Sequence, residues 1–258
     1  MAESRNVFLT AQWADLLILN YEVAPGLLKE YVPQGTRLDS FEGKTYMSLV
    51  GFRFRETKLF GTLPIPFHRD FLEVNLRFYV RRSTNSEERR GVVFIAEIVP
   101  KRMIAQVARM LYGENYLCRP MSSNREHTTV EYAWKTKNTC CTLGARVSET
   151  SAFPAQESLE QFITEHYWGY SAQRDGGCLE YQVTHPVWKV RPCVEAFLRG
   201  DPTPEYGAEL ASILKGKPSS SFLADGSSVV VFKGAVITYG RATERNAKAA
   251  GERSGPLR

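Results

Sequence analysis

Glu73, Asn75 and Arg77 recur at every second position of FLEVNLRFYV. Alternation with this period places successive side chains on opposite faces of a β-strand. Leu72, Val74, Leu76, Phe78 and Val80 then form an apolar face, and Phe71, Glu73, Asn75, Arg77 and Tyr79 form the other. Two readings fit. The polar face is the wet side of a half-buried strand, or it lines a cavity in which a carboxyl and a guanidinium bind an acid or move a proton. Phe71 and Tyr79, which flank the polar trio, favour partial enclosure.

Other candidates compete with blander readings. Lys101 adjoins Arg102, and a lysine beside a second cation can be tuned to attack carbonyls as a Schiff-base former; both also suit a solvated surface at a helix start. FITEHYWGY (162–170) and THPVW (184–188) hold His166 and His185, with Trp168 and Trp188 beside them. Their spacing fits no common zinc motif, and no Gly-x-Ser-x-Gly supplies a hydrolase nucleophile. Histidines hydrogen-bonded inside the core and histidines that bind an anionic substrate both remain open. Neither Gly-x-Gly-x-x-Gly nor a Walker A pattern is present, which disfavours nucleotide binding.

The elements that must position these residues are mostly strands. Strands are expected at 13–23, at 36–55 as a hairpin turning at Gly43, at 71–82, at 92–99, near 115–121, 127–136 and 140–148, and at 177–191. A closing hairpin is expected at Asp225-Gly226. The proline-rich stretch 58–70 reads as a loop. Helices are expected at 100–113, at 157–166 with Ser158 and Gln161 as a capping box, and near 204–215. No βαβ alternation appears, so the fold class is α+β and predominantly antiparallel, with a sheet large enough to curl or close.

The net charge of +5 is concentrated at the C-terminus, where Arg241, Arg245, Lys248, Arg253 and Arg258 face only Glu244 and Glu252. Interspersed signs elsewhere argue against a nucleic-acid-binding face. Five cysteines without a Cys-x-x-Cys read as reduced thiols. The sequence shows no signal-peptide pattern, and its longest aliphatic run, 16–19, is too short to span a bilayer. A cytoplasmic protein without membrane partners is expected, organised as one domain over 1–240 with a basic, unstructured tail over 241–258. Homo-oligomerisation is compatible with the sequence.

LNYEVAPGLLKEYVPQGTRLD, YMSLVGFRF, PIPFHRDFLEVNLRFYVR, GVVFIAEIVPKRMIAQVARMLYGENY, FITEHYWGY, LEYQVTHPVWKV and SFLADGSSVVV together resemble the YqjF-like family of uncharacterised bacterial proteins, over about residues 8–235. That family is more distantly similar to acetoacetate decarboxylase. The resemblance implies a curved or closed β-barrel or cone with a few outer helices and an internal pocket. It places the decarboxylase's pocket glutamate at Glu73 and its helix arginine at Arg109. The Schiff-base lysine position falls on Tyr116, which cannot form an imine. Lys101 sits at the far end of the intervening helix, roughly 18–20 Å away at 1.5 Å per residue. The resulting expectation is a pocket for a small organic acid or carbonyl compound, built from Glu73, Asn75, Arg77, Arg109 and Tyr116 with His166, Trp168 and His185 nearby. No metal and no cofactor are implied. A lyase acting through Lys101 and a non-catalytic, partner-binding protein are the competing expectations.

Overall fold

The computed structural model describes residues 6–64, 69–102, 105–106, 113–136, 139–174 and 176–237. In chain order, β1 (Val7–Val23) leads through a short helix, α1 (Pro25–Leu28), to β2 (Arg37–Leu38) and β3 (Thr45–Leu59). Then come β4 (Leu63–Pro64), β5 (Phe71–Ser83), β6 (Glu88–Val99), β7 (Tyr116–Cys118), β8 (Met121–Glu126), β9 (Thr129–Lys135) and β10 (Cys140–Val147). Helix α2 (Leu159–Thr164) precedes β11 (Trp168–Ala172), β12 (Cys178–Thr184) and β13 (Val190–Arg199). Helix α3 (Thr203–Leu214), β14 (Ser220–Phe232) and β15 (Ala235–Ile237) complete the described chain.

Seven strands, in the order β12-β11-β6-β5-β3-β1-β14, form a ring that closes where β14 meets β12. Closure is thin: Val183 pairs with Val231 and Thr184 with Val230. Most neighbours are antiparallel, while β11 and β7 each run parallel to β6. From β14 the sheet continues as a wing, β13-β10-β9-β8, which folds back over the ring. The core is therefore double. Leu17, Leu19, Leu49, Val74, Leu76 and Phe78 pack outward against Tyr132, Trp134 and Leu143 of the wing. Leu16, Ile18, Val50, Phe52, Tyr79 and Trp188 pack inside the ring.

Both faces of β5 are consequently buried, as the sequence pattern allows but does not require. Val74, Leu76, Phe78 and Val80 meet the wing, and Glu73, Asn75, Arg77 and Tyr79 turn inward.

Three bulges around the ring reset the alternation of side chains, since an extra residue switches which parity faces in. In β1 the register shifts between Ala14 and Leu17, with Asp15 at φ 55°, so that Trp13 and Leu16 both face the interior. In β3, Glu56 at φ 52° does the same for Phe54 and Thr57. In β6 a shift opposite Leu76 and Arg77 lets both Phe94 and Glu97 point inward.

Several expectations need correction. The expected closing hairpin at Asp225-Gly226 is instead a bend inside one continuous strand, β14, paired with β1 throughout. Gly226, at φ +81°, is needed because a Cβ there would lie 2.2 Å from the Trp13 carbonyl oxygen. The expected 36–55 hairpin turns at Gly43, but β2 pairs with β5 rather than β3. Segment 58–70 is not wholly loop, because Lys58 and Leu59 still pair with β4. The expected strand 177–191 ends at Thr184, and β13 continues past it to Arg199. The 100–113 helix falls largely outside the described residues, as does the basic tail. Ser158 caps α2 by accepting from the Gln161 N–H at 3.2 Å, while the Gln161 side chain accepts from the Glu157 N–H at 2.7 Å, one residue short of a reciprocal box. Among the described residues no helix is long and apolar enough to cross a membrane.

Replacing Gly226 by Ala should cost about 2–4 kcal/mol, because the new Cβ meets backbone and the φ is left-handed. Gly176→Ala, at a similar φ but in open space, should cost about 1–2 kcal/mol. Urea unfolding of both variants checks the difference; equal losses would show that the approach of β14 to Trp13 is not tight.

Candidate functional site

Inside the ring lies a cavity of about 300 Å³. Its polar lining comes from neighbouring strands. Glu73, Asn75 and Arg77 stand on β5, Glu97 on β6 directly opposite Asn75, and Tyr116 on β7 directly opposite Glu97. Glu114 is brought in by the segment before β7, whose Asn115 carbonyl accepts from the Glu97 N–H at 3.0 Å. Most of the remaining wall is apolar, including Trp13, Phe52, Phe54, Phe71, Phe94, Trp168 and Trp188, with Thr57, Thr164, His166, Tyr181 and His185 set among them.

Three carboxyl groups share this interior, and burial penalises charge on each. Burial lifts the Glu73 pKa to about 8, against a 2.9 Å hydrogen bond donated by Asn75 and the charge of Arg77; the charge of Glu114 acts with burial. Glu114 rises to about 7 through burial, restrained by hydrogen bonds from the Tyr181 hydroxyl at 2.7 Å and from Glu97. Glu97 is pushed furthest, well above the carboxylate range, by burial and then by the charges of Glu114 and Glu73. Glu73 and Glu97 thus hold protons at neutral pH, while Glu114, near 7, is about half ionised and accepts from Glu97. Tyr116 is raised well above its usual range by burial and by these carboxylates, and keeps its hydroxyl proton.

Gly169 makes this geometry possible. A Cβ there would lie 2.1 Å from the Tyr181 ring, so only glycine lets that ring cross β11 and deliver its hydroxyl to Glu114.

Arg77 is the cavity's cation. It is buried, lines the cavity, and makes no ion pair among the described residues; its Nε has no hydrogen-bond partner. A buried unpaired guanidinium is costly, since charges in protein interiors are ordinarily neutralised by a close partner. Its charge reaches both histidines, helping to depress each.

His166 is held at 3.2 Å from Asp39, which also accepts from Arg90 at 3.0 Å, from Arg81 and from the Ser40 N–H at 2.8 Å. Burial of Asp39 is outweighed by the hydrogen bonds from His166 and Arg90, so its pKa falls well below the usual range. Burial drives His166 down to about 4 despite Asp39, which leaves a neutral ring. The anionic Asp39 then accepts a hydrogen bond from the Nε2–H, leaving Nδ1 as an acceptor without a hydrogen-bond partner among the described residues. His185 stacks on Trp188 at 3.8 Å and 13°, and its Nδ1 lies 2.8 Å from the Pro186 carbonyl. His185 and Trp188 lie in the segment between β12 and β13 rather than on a strand. Trp168 lies under the Arg89 guanidinium at 4.0 Å.

Of the residues singled out from sequence, Glu73, Asn75, Arg77, Tyr116, His166, Trp168 and His185 all line one cavity. Arg109 lies outside the described residues. Lys101 is absent from the lining and donates to the Asp70 carbonyl at 3.2 Å; no lysine is among the described residues that line the cavity. Sequence reasoning missed Glu97, Glu114, Tyr181 and Asp39. Only Glu97 carried a signal, as the single charge in the otherwise apolar run VVFIAEIV. Despite its three glutamates, the site contains no group of three or more His, Cys, Asp or Glu arranged to hold a metal ion among the described residues.

Comparison with known proteins follows from this geometry. The uncharacterized protein YqjF of Bacillus subtilis (strain 168) is 28% identical over 180 residues, covering 68% of this chain and 72% of YqjF. The crystal structure of acetoacetate decarboxylase from Legionella pneumophila superimposes with a TM-score of 0.65 at 13% identity, covering 90% of this chain and 87% of that one. The enduracididine biosynthesis enzyme MppR complexed with pyruvate gives 0.64 at 9% identity, with 89% and 90% covered. Identities this low establish shared fold alone. The family model for DUF2071, an uncharacterized conserved protein, matches residues 10–228, and the chain belongs to that family.

The buried groups fix how stability varies with pH. Glu73 and Glu114 have folded pKa values above their usual 4.5, so their stabilising contribution is complete below about 4.5 and disappears as pH rises through about 7 to 8. His166 has the opposite sign: its contribution is complete above 6.5 and is lost as pH falls through about 4. Glu73→Gln should therefore gain on the wild type between pH 5 and 8, by up to about 1.4 kcal/mol per pH unit. Urea midpoints across that range test this; parallel curves would mean Glu73 ionises normally.

Proposed function

We propose that this DUF2071 protein binds a small organic acid or carbonyl compound inside the ring and moves a proton to or from it without forming an imine. The observation that carries this reading is Arg77, a buried cation that lines the cavity and has no carboxylate partner among the described residues. A ligand carboxylate supplies that partner through charge-assisted hydrogen bonds. Glu73, two positions away on the same face, is the proton-transfer group. Its pKa near 8 lets it donate or accept near neutral pH, where a catalytic acid or base works best.

Asn75 positions the Glu73 carboxyl through its amide N–H. Glu97, Glu114 and Tyr116 act as a proton reserve beside it, because only a fraction of this cluster can ionise at once. His166, Trp168 and His185 line the same cavity. The fold neighbours support the ligand class: one is an acetoacetate decarboxylase and another holds pyruvate. The tyrosine at the lysine position, and a lining without described lysines, support non-covalent chemistry.

Titration calorimetry with a panel of short organic and keto acids should identify at least one binder, and Arg77→Ala should weaken it tenfold or more. Glu73→Gln should keep most of the affinity while abolishing exchange of the ligand's α-hydrogens with deuterated solvent, followed by NMR. Borohydride added with the binder should leave the protein mass unchanged. A mass adduct that vanishes in Lys101→Ala would overturn the non-covalent reading, and unchanged affinity in Arg77→Ala would overturn the assignment of the cavity.

A further inference from the structure

Resting on the reading of Arg77 as a carboxylate site, we infer that the cavity selects an aromatic carboxylic acid rather than a two- to four-carbon acid.

Size is the first argument. A cavity of about 300 Å³ falls at the lower end of the roughly 300–1,000 Å³ spanned by pockets for drug-sized ligands, so it has room for a ring-bearing acid. Pyruvate has six non-hydrogen atoms and would leave much of the space empty or wet. Empty apolar volume forfeits contacts on both ligand and wall.

The second argument is the character of the wall. Trp13 meets Phe52 and Phe54 edge-on at 5.3 and 5.7 Å, Phe54 stacks on Phe71 at 4.3 Å and 12°, and the Trp13 and Trp188 centroids are 6.1 Å apart. These five rings touch one another and all border the cavity. Their faces and edges offer a further ring the offset and T-shaped contacts that aromatic pairs prefer. An alkyl chain of the same size gains burial but none of that geometry.

Placement is the third. Arg77 is paired across the sheet with Phe94, and both line the cavity, so the cation stands beside an aromatic member of the wall. Glu73 is paired across the sheet with Phe52, which places the carboxyl beside the same wall further along β5. A ligand with its carboxylate on Arg77 therefore has ring surface immediately at hand and passes Glu73 on the way. The polar groups are few and convergent while the apolar area is large, which describes a site that orients by charge and binds by burial.

Calorimetry on the full chain with four probes tests the inference: 3-phenylpropanoate, octanoate with a similar atom count, pyruvate, and 3-phenylpropanamide as the uncharged match. Phenylpropanoate should bind at least tenfold more tightly than pyruvate and several-fold more tightly than octanoate. Arg77→Ala, with folding checked by circular dichroism, should bring its affinity down to that of the amide. Pyruvate binding as tightly as phenylpropanoate would overturn the size and ring preference while leaving the organic-acid reading standing. Octanoate matching phenylpropanoate would overturn the aromatic preference. Equal binding of amide and acid, or binding of no acid by the wild type, would overturn the carboxylate site and this inference with it.

Discussion

Turning the polar face of β5 into a closed ring of strands creates the energetic problem around which this protein is organised. An open antiparallel sheet would leave Glu73, Asn75 and Arg77 in water at no cost. Here the wing covers one side of the strand and the ring encloses the other, so Glu73, Asn75 and Arg77 are desolvated. The carboxyls respond by holding their protons, which removes most of the penalty. A guanidinium cannot respond in that way, because its pKa lies too high. Arg77 is left charged, and what relieves it must come from a ligand or from partial ionisation of the glutamates.

The bulges follow from the same enclosure. A regular strand of period two cannot show the interior both Trp13 and Leu16, or both Phe94 and Glu97. Each extra residue changes the parity at the level of the cavity, and two of the three sites carry an acidic residue at positive φ, Asp15 and Glu56. Asp15 offsets part of that strain by facing Arg53, Arg55 and Arg125. On the neighbouring strand Gly226 bends at the same level, since β1 and β14 keep constant register through the corner. The sheet thus bends as a unit where the ring must curve, and the bend is what presents the aromatic residues to the cavity.

How much of this was legible in the sequence depends on how local each signal was. The two-residue period of β5 and the Ser158 cap need only near neighbours, and the structure contains them. Asp225-Gly226 misled because the dipeptide specifies a positive φ but not whether the strand reverses; pairing with β1, and the hydrogen bond from the Asp225 N–H to Lys189, carry the strand straight on. The partners of the site were the least legible. Asp39 and His166 are 127 positions apart, and Glu114 reaches Tyr181 across 67. Glu97 was visible in principle, since an acid inside an apolar strand has to be solvated, paired or protonated. The missing information was what stood opposite it.

The two ends of the cavity make opposite demands of pH. The glutamate cluster is most comfortable protonated, and rising pH places charge where no solvent can screen it. The Asp39–His166 pair is most comfortable with a neutral ring beside an anion, and falling pH disrupts that. Arg77 lies between these ends, and its field depresses His166 while easing ionisation of Glu73. An anionic ligand placed on Arg77 would cancel that field. The Glu73 carboxyl would then hold its proton more firmly, and the His166 ring would accept one more readily. Ligand binding and proton distribution are therefore coupled through one guanidinium. Such coupling would make a proton-transfer role for this site physically reasonable without a lysine among the described lining residues.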